Sequence, residues 1–346
     1  MRKKVLFIGP LGKEGKMIGG DCLKNLHLTR QLKKLSVNLR ILDTLYYKKS
    51  LWRKITLLFT ILINRKKTFI ISASSLGANK LLRTLSLFKI TDAIYWVVGG
   101  DLPQLLSCQY FKLDPYAKIR KIIVEGKNME ETLRICGLNN VMTLPNFKFI
   151  NYIPQKKHPT PGSPAKFIFL SRITEAKGCS YINKAAKALN EKGLADNFHI
   201  DYYGTIDKKY KEKFTYELST LPNVDYQGFL NLLDTANYDR LASYDALLFP
   251  TFYHGEGFAG IFIDAFISGL PIIASDWSIN GDIVKDGITG CIVRNRNTKE
   301  LAAKMEEIIK NREKYWQMGL NSQSEWKKYE IDNVVNSALL KELEII

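Results

Sequence analysis

The feature that most constrains the fold is a repeated alternation of short apolar runs with longer amphipathic stretches. Such alternation predicts parallel β-sheets covered by helices on both faces. We therefore expect an α/β fold with two doubly wound, Rossmann-like domains that face a cleft at the carboxyl ends of their strands. The candidate strands are Val5–Ile8, Val37–Leu42, Thr68–Ser72, Ala93–Val98, Lys121–Val124, Val141–Leu144, Lys166–Ser171, Phe198–Tyr203, Val224–Gln227, Ala246–Phe249, Pro271–Ala274 and Cys291–Val293.

A proline-rich segment separates the two halves of this pattern. Pro154–Pro164 contains four prolines in eleven residues, which excludes a helix interior or a central strand. It predicts an interdomain linker over residues 154–165, between an N-terminal domain (1–153) and a C-terminal domain (166–325). We expect residues 326–346 to form a helix that packs back on the N-terminal domain.

The charge of the chain is concentrated in its first half. Residues 1–150 carry 27 Lys and Arg against 9 Asp and Glu, whereas residues 151–346 carry 24 against 25. This asymmetry indicates an anionic partner, which could be membrane lipid, nucleic acid or a phosphorylated substrate, although a generally basic, soluble surface is the alternative. We expect no nucleic acid, because no binding module is recognisable and the basic residues are not interleaved with a stacking platform.

Residues 46–67 combine basic ends, aromatic side chains and an apolar middle. This composition suits a helix that lies in a membrane interface, with Lys48, Lys49, Arg53 and Lys54 near anionic lipid; a core helix is the alternative. The N-terminal apolar run is too short for a signal peptide, and five scattered cysteines favour reduced thiols. We therefore expect a cytoplasmic protein, peripheral on the inner face of the membrane.

Two loops offer groups for a phosphate. Gly19 and Gly20 precede the first long helix, where a phosphate loop and a plain turn are equally consistent with the pattern. Arg172 follows a strand and Lys177 precedes a helix, so both cations could neutralise a departing diphosphate. Two solvated loop cations are the alternative.

The most specific segment is Phe249–Pro271, in which a strand, a loop and an apolar helix from about Ala259 follow one another. Glu256 precedes the helix and Asp264 lies two turns further on, so each carboxylate could hold a pair of hydroxyls. We expect His254 to form a wall of the site. The residues after Glu256 that could offer backbone amides to an anion are Gly257, Phe258, Ala259 and Gly260.

At this point the sequence resembles the group 1 family (family four) of retaining glycosyltransferases, of the bacterial polysaccharide type, which have the GT-B fold. That family carries Glu, seven residues and a second Glu in this setting, where this chain has Glu256 and Asp264. The resemblance spans nearly the whole chain in the right order. It also covers Gly19-Gly20, Pro145-Asn146, Ser171-Arg172, Lys177-Gly178, Gly204, Gly228 and Asp286-Gly287.

The resemblance implies a role for each matching residue. Glu256 would bind the hexose hydroxyls of a nucleotide-sugar co-substrate, Asp264 its ribose, and Arg172 with Lys177 its diphosphate; Gly204 would lie at the donor. The N-terminal domain would bind a glycan or lipid-linked glycan acceptor in surface polysaccharide synthesis. Asp264 is one methylene shorter than Glu, and the stretch Tyr95–Asp101 lacks the His of many relatives. Asp101 would then be catalytic, or simply a helix N-cap.

No Asp-x-Asp pair occurs in the chain. Because such a pair holds the cation in many metal-dependent transferases, we expect a metal-independent hexosyltransferase that retains anomeric configuration and needs no cofactor. Three alternatives remain open. They are an epimerase of the same architecture with Asp101 and His254 as acid and base, a basic nucleic-acid-binding protein, and a GT-B binding protein without activity.

Overall fold

The structure, a computed structural model, describes residues 3–12, 19–45 and 51–346. Its strands fall where the short apolar runs predict them, with ends that differ by one or two residues. They are β1 (Lys4–Gly9), β2 (Asn38–Asp43), β3 (Thr68–Ser74), β4 (Ala93–Val98), β5 (Lys121–Val124), β6 (Val141–Thr143), β7 (Ala165–Leu170), β8 (Phe198–Tyr203), β9 (Val224–Tyr226), β10 (Ala246–Phe249), β11 (Ile272–Ser275) and β12 (Gly290–Val293).

Helices occupy most of the connections between these strands. They are α1 (Gly20–Lys34), α2 (Leu51–Ile63), α3 (Ser75–Leu87), α4 (Leu102–Ser107), α5 (Asp114–Ala117), α6 (Lys127–Ile135), α7 (Cys179–Glu191), α8 (Lys211–Ser219), α9 (Ala236–Ala242), α10 (Gly260–Ile267), α11 (Asn280–Ile283), α12 (Thr298–Lys310), α13 (Arg312–Ser324), α14 (Ile331–Val334) and α15 (Ser337–Glu342). Short 3-10 turns lie at Glu175–Lys177, Ala195–Asn197 and Trp326–Tyr329.

The chain divides into two units. Unit 1 comprises residues 1–149, 257–259 and 328–346, and unit 2 comprises residues 150–256 and 260–327. The sequence placed the first boundary at residue 153 and assigned the loop after Glu256 wholly to the C-terminal domain. The difference arises because Gly257–Ala259 make most of their contacts in unit 1.

Unit 1 is built on a parallel sheet of order β2-β1-β3-β4-β5-β6. One face of this sheet buries Phe7, Ile70 and Trp96 against α1 and the end of the chain. Residues 328–346 belong to unit 1, as expected, but the single helix expected over 326–346 is replaced by a 3-10 turn, α14 and α15. Glu330 is extended and bridges Lys148, and the side chain of Asn336 caps the new helix α15, so a continuous helix is interrupted twice.

Unit 2 is built on a parallel sheet of order β12-β11-β10-β7-β8-β9. The strands β7 and β10 are neighbours, with Leu247 opposite Ile168, although they are far apart in sequence. The strands β8 and β9 follow β7 on one side of the sheet, and β11 and β12 follow β10 on the other side. Their carboxyl ends therefore form the topological switch point, where α/β sheets bind ligands.

The proline-rich segment contains no helix or strand, and its backbone is held on unit 2. The Lys156 ammonium donates to the carbonyl oxygens of Ala242 and Tyr244, at 3.1 and 2.6 Å. The Arg312 guanidinium donates to the Ser163 carbonyl oxygen at 2.8 Å. Loss of hydration lowers the pKa of Lys156 to about 8, only partly opposed by nearby Asp245.

Candidate active site

Two loops meet at the carboxyl ends of β7 and β10. The loop after β7 carries Arg172 and Lys177, and the loop after β10 runs through Thr251 to Glu256. The two loops are joined directly, since the Phe252 amide donates to the Ala176 carbonyl oxygen at 2.8 Å. The sheet topology therefore brings together the sequence-predicted cations and the first sequence-predicted carboxylate.

Two glycines allow the backbone to approach closely around these loops. At Gly178, φ is +84° and a Cβ would lie 2.1 Å from the Pro250 carbonyl oxygen. At Gly204, φ is +138° and a Cβ would lie 1.8 Å from the Ser171 carbonyl oxygen. Any other residue would push the β7 loop away from its neighbours. Gly204 thus shapes the loop that carries Arg172.

Lys177 and Glu256 form an ion pair at the base of the loops. The Lys177 ammonium lies 2.6 Å from Glu256 Oε2, and the two side chains are 8% and 7% exposed. The Thr251 hydroxyl donates to the same oxygen at 2.8 Å. A buried carboxylate is stable as a charge only with such partners. The pair therefore places a cation and a carboxylate side by side near the carboxyl ends of β7 and β10.

The ring of Tyr253 lies against both cations. The Lys177 ammonium is 5.3 Å from the Tyr253 ring centre and 5.3 Å from that of Phe249, and the Arg172 guanidinium is 5.6 Å from the Tyr253 ring. Cations within about 6 Å of an aromatic ring face are attracted by its quadrupole. Unlike Lys177, Arg172 is exposed to solvent. Tyr253 thus contacts one buried and one exposed positive group of unit 2.

The loop after β11 supports the loop that ends at Glu256. The Trp277 indole donates to the Tyr253 carbonyl oxygen at 2.8 Å, and the Ser278 hydroxyl donates to the Glu256 carbonyl oxygen at 2.6 Å. The His254 ring is exposed and lies edge-on to the Trp277 ring at 5.6 Å. These contacts keep the backbone of the Glu256 loop in place and put His254 at its outer side.

Asp264 lies near the middle of α10, as the fifth of its eight residues, and is almost fully buried. The Tyr238 hydroxyl donates to Asp264 Oδ1 at 2.7 Å. Burial, and then the charge of Asp264, raise the pKa of Tyr238 well above its ordinary value. The second carboxylate of the motif is thus anchored to α9, a contact that the sequence did not predict.

The residues that follow Glu256 differ from expectation. The amide of Phe258 is not available to an external anion, because it donates to Glu125 Oε2 at 2.8 Å within unit 1. Glu125 is buried and paired with the Lys24 ammonium, so its carboxylate is stabilised as the acceptor. Gly257 packs tightly here too, since a Cβ would lie 2.4 Å from Glu125 Oε2. Ala259 is half-buried in the same unit, and Gly260 begins α10 in unit 2.

The remaining predicted site residues lie in unit 1. Gly19 and Gly20 are exposed at the start of α1, and Gly19 has ordinary extended backbone angles. Asp101 follows β4 and occupies the N-cap position of α4, but its side chain makes no capping hydrogen bond. Instead Asp101 Oδ1 accepts from the Ser75 hydroxyl at 2.6 Å. Asp101 therefore has the N-cap position suggested as the alternative, but its side chain bonds to Ser75 and not to the helix.

Sequence reasoning missed several residues of this site. Thr251 and Tyr253 lie inside the segment it singled out, and their position directly after a buried strand is a usable signal. Trp277 and Ser278 could be found only from the strand order, which places the end of β11 beside that of β10. In the described part of the chain no cluster of three His, Cys, Asp or Glu side chains is arranged to hold a metal ion.

The loops of this site fall within a region that matches a known protein family. The model of the glycosyl transferases group 1 family matches residues 153–325, which is half of the chain and includes both loops of the site. The chain belongs to this family. Its fold is GT-B, as the solved structures of similar shape also indicate.

Two curated relatives and one solved structure illustrate the family. Poly(ribitol-phosphate) alpha-N-acetylglucosaminyltransferase of Staphylococcus aureus is 25% identical over 57% of this chain, which spans only 40% of that protein. Capsular polysaccharide biosynthesis glycosyltransferase CapM of Staphylococcus aureus is 25% identical over 72% of this chain and 69% of that protein. HepE of Anabaena, solved with UDP-glucose, is 14% identical with a TM-score of 0.70 over 99% of this chain and all of that one.

Proposed function

We propose that the protein moves a hexose from a nucleotide-sugar donor to a glycan or lipid-linked glycan acceptor in bacterial surface polysaccharide synthesis, with retention of configuration and without a metal ion. The observation that carries this proposal is the buried Lys177–Glu256 pair beside Arg172 at the switch point of unit 2. It supplies positive charge for a diphosphate and a carboxylate for sugar hydroxyls in one place.

Each group has a defined task in this reaction. Arg172 and Lys177 stabilise the negative charge that develops on the departing nucleoside diphosphate. Glu256 accepts hydrogen bonds from the hexose hydroxyls and orients the sugar, and Asp264 receives the ribose. The acceptor hydroxyl attacks the face from which the diphosphate leaves, and its proton passes to a donor phosphate oxygen.

The names of the relatives support the acceptor class. One acts on poly(ribitol-phosphate) and another takes part in capsular polysaccharide biosynthesis. HepE was solved with UDP-glucose, which supports a nucleotide-sugar donor.

A donor screen tests the proposal. Purified protein is incubated with single nucleotide sugars and a lipid-linked or glycerol-phosphate acceptor, and release of nucleoside diphosphate is followed together with the anomeric proton signal of the product. We expect one donor to be used, the product anomer to match the donor anomer, and the rate to persist in chelator. Turnover that stops in chelator and returns with magnesium or manganese contradicts metal independence, and an inverted product contradicts retention.

Helix α2 supports a membrane surface as the second partner. Trp52, Phe59 and Ile63 are 78%, 65% and 64% exposed, and with Ile55 they follow a helical spacing of three and four residues. Ile61, on the other side, is buried in unit 1. Among the described residues, no helix has the length and apolar character needed to cross a bilayer. The alternative of a core helix does not fit most of α2, because its larger face is open to solvent.

Charge supports an anionic lipid surface for this face. Residues 51–67 contain five Lys and Arg and no acidic residue, and Arg53 and Lys54 are exposed. Lys48 and Lys49, which the sequence also placed here, lie outside the described residues. Each cation near an anionic leaflet contributes about 1 kcal/mol, so a few hold the enzyme reversibly beside a lipid-linked acceptor.

Vesicle co-sedimentation tests the membrane partner. The protein should bind phosphatidylcholine vesicles that contain phosphatidylglycerol, more weakly in high salt, and hardly bind phosphatidylcholine alone. Trp52→Ser with Phe59→Ser, or Arg53→Gln with Lys54→Gln, should weaken binding at least about tenfold, whereas Ile135→Ser, at a residue of unit 1 that is 86% exposed, should not. Equal binding to both vesicles, or to neither, contradicts the proposal.

A further inference from the structure

The two groups assigned to different parts of the donor bind each other. The Lys177 ammonium, assigned to the diphosphate, and Glu256 Oε2, assigned to the sugar, are 2.6 Å apart and buried. Thr251 reinforces the pair by donating to the same oxygen. The positive charge of Lys177 is therefore largely neutralised by Glu256 before any phosphate can use it.

We propose that Lys177 exchanges partners during the reaction, so that diphosphate binding and sugar binding are coupled through Glu256. This inference rests on the proposed function. A complete donor gives both groups a new partner: the diphosphate takes Lys177 and the sugar hydroxyls take Glu256. The nucleoside diphosphate alone takes Lys177 and leaves a buried carboxylate without its cation, which is unfavourable.

The surroundings of Lys177 suit such an exchange. Its ammonium lies near the ring faces of Phe249 and Tyr253, which attract a cation without fixing it to one partner. The Arg172 guanidinium lies against the same Tyr253 ring and is exposed, so a diphosphate can meet Arg172 first. Lys177 then has a short path between Glu256 and the phosphate.

The consequence is discrimination between substrate and product. In the complex with the intact donor, Lys177 binds the diphosphate and Glu256 binds the sugar hydroxyls. After transfer the sugar is gone, and the nucleoside diphosphate competes with Glu256 for Lys177. Return of Lys177 to Glu256 then assists release of the product. Reciprocity requires that weakening Glu256 as a partner strengthens the binding of the nucleoside diphosphate.

Binding measurements on charge-matched variants test this exchange. Dissociation constants for UDP, GDP and ADP, and for their glucose conjugates, are measured by calorimetry on the wild type, Glu256→Gln and Glu175→Gln. Glu175 is the matched control, because it lies two residues from Lys177 but is 60% exposed and paired with Lys213. Glu175→Gln removes the same charge without touching the Lys177–Glu256 pair.

We expect Glu256→Gln to bind the preferred nucleoside diphosphate at least about fivefold more tightly than the wild type, the lower end of usual couplings between sites. The glucose conjugate should bind no more tightly, and Glu175→Gln should leave both constants unchanged. In a Lys177→Met background, Glu256→Gln should no longer strengthen nucleoside diphosphate binding. A role of Glu256 in sugar contact alone would leave the diphosphate constant unaltered.

If folded Glu256→Gln binds the nucleoside diphosphate with the same or lower affinity than the wild type, the exchange of partners is overturned. Transfer activity of the wild type would in that case still support the proposed function. Thermal unfolding checks the fold of each variant. Glu256→Asp, which withdraws the carboxylate by one methylene, serves if Glu256→Gln does not fold and should shift the constant in the same direction. A wild type that binds none of the three nucleotides and transfers no sugar overturns both proposals.

Discussion

Lys177 and Glu256 contribute to the stability of unit 2 as well as to its proposed chemistry. Both side chains are less than a tenth exposed, and each provides the opposite charge that the other needs. Removing one partner of a buried pair leaves an uncompensated charge, whereas replacing both with apolar groups is often neutral or stabilising. The two roles can therefore be separated by single and double substitutions.

Glu256→Ala should abolish most transfer and also lower the free energy of unfolding by about 3–5 kcal/mol, because Lys177 is left buried without a counter-ion. Denaturant unfolding and nucleoside diphosphate release measure the two effects. The double variant Lys177→Met with Glu256→Leu should recover much of the stability but no activity. A Glu256→Ala protein with wild-type stability and turnover would show that the pair serves neither role.

Arg172→Ala should act on the reaction and not on the fold, since its guanidinium is exposed. Removing one electrostatic stabiliser of a developing charge lowers kcat by about 10²–10³-fold, with little change in Tm. Lys213→Ala is the control: it is also an exposed cation that lies over a tyrosine ring, but it pairs with Glu175. Equal losses in the two variants would argue against a specific role for Arg172.

Among the larger elements, the segment over residues 150–164 has a defined place without any helix or strand. Its backbone carbonyls and side chains are fixed by groups of unit 2, among them Arg312 and Gln323. Lys156 is the most informative of these contacts, because its ammonium is held by backbone carbonyls of neutral charge. Its ionisation should therefore be visible in the stability of unit 2.

The pKa of Lys156 is about 8 in the folded protein and 10.5 as its ordinary value. Between these pH values the unfolded chain binds more protons, so the contribution of Lys156 to the free energy of unfolding should rise with pH by about 1–3 kcal/mol. Below pH 8 the lysine is charged in both states and the contribution is constant. Comparing urea unfolding of the wild type and Lys156→Met at pH 7 and pH 10 isolates this change. A difference between the two proteins that stays constant with pH contradicts it.

The helices, strands and loops also show what could and could not be predicted from the sequence. The strands were predictable because buried parallel strands are short apolar runs. The loops that carry Lys177 and Glu256 were predictable because each of them follows such a run. The fate of the Phe258 amide was not predictable, because its acceptor Glu125 is distant in sequence and follows another strand. The exposure of α2 was also undecided, since a nearly continuous apolar stretch fits burial and lipid contact equally well.

For the molecule as a whole, the distribution of charge separates the two halves of the chain. Residues 1–150 carry a net charge of +18, which accounts for all of the +17 of the chain, whereas the half that carries Lys177 and Glu256 is close to neutral. A strongly basic surface attracts any polyanion and makes association dependent on salt. The site in unit 2 must therefore obtain its preference for a diphosphate from local geometry.

This charge also leads to an expectation for nucleic acid. Nucleic acid is not expected as a partner, so any association with single-stranded RNA should lack sequence preference and be lost steeply as salt is raised, because phosphate contacts alone would carry it. Fluorescence anisotropy with two unrelated oligonucleotides at several salt concentrations measures this. Tight, sequence-dependent binding that survives high salt would instead favour a nucleic-acid-binding protein.

The composition of unit 1 has a consequence for how the chain folds during synthesis. Its core contains Ile331, Leu340 and Ile345 beside strands from the first hundred residues. The ribosome synthesises these residues after those of the unit 2 core, so the basic half of the chain keeps part of its apolar surface uncovered until they emerge. Unit 2, whose core spans residues 165–318, can close earlier. The half that is synthesised first therefore completes its core after the other half, and in the interval its uncovered apolar surface is prone to aggregation.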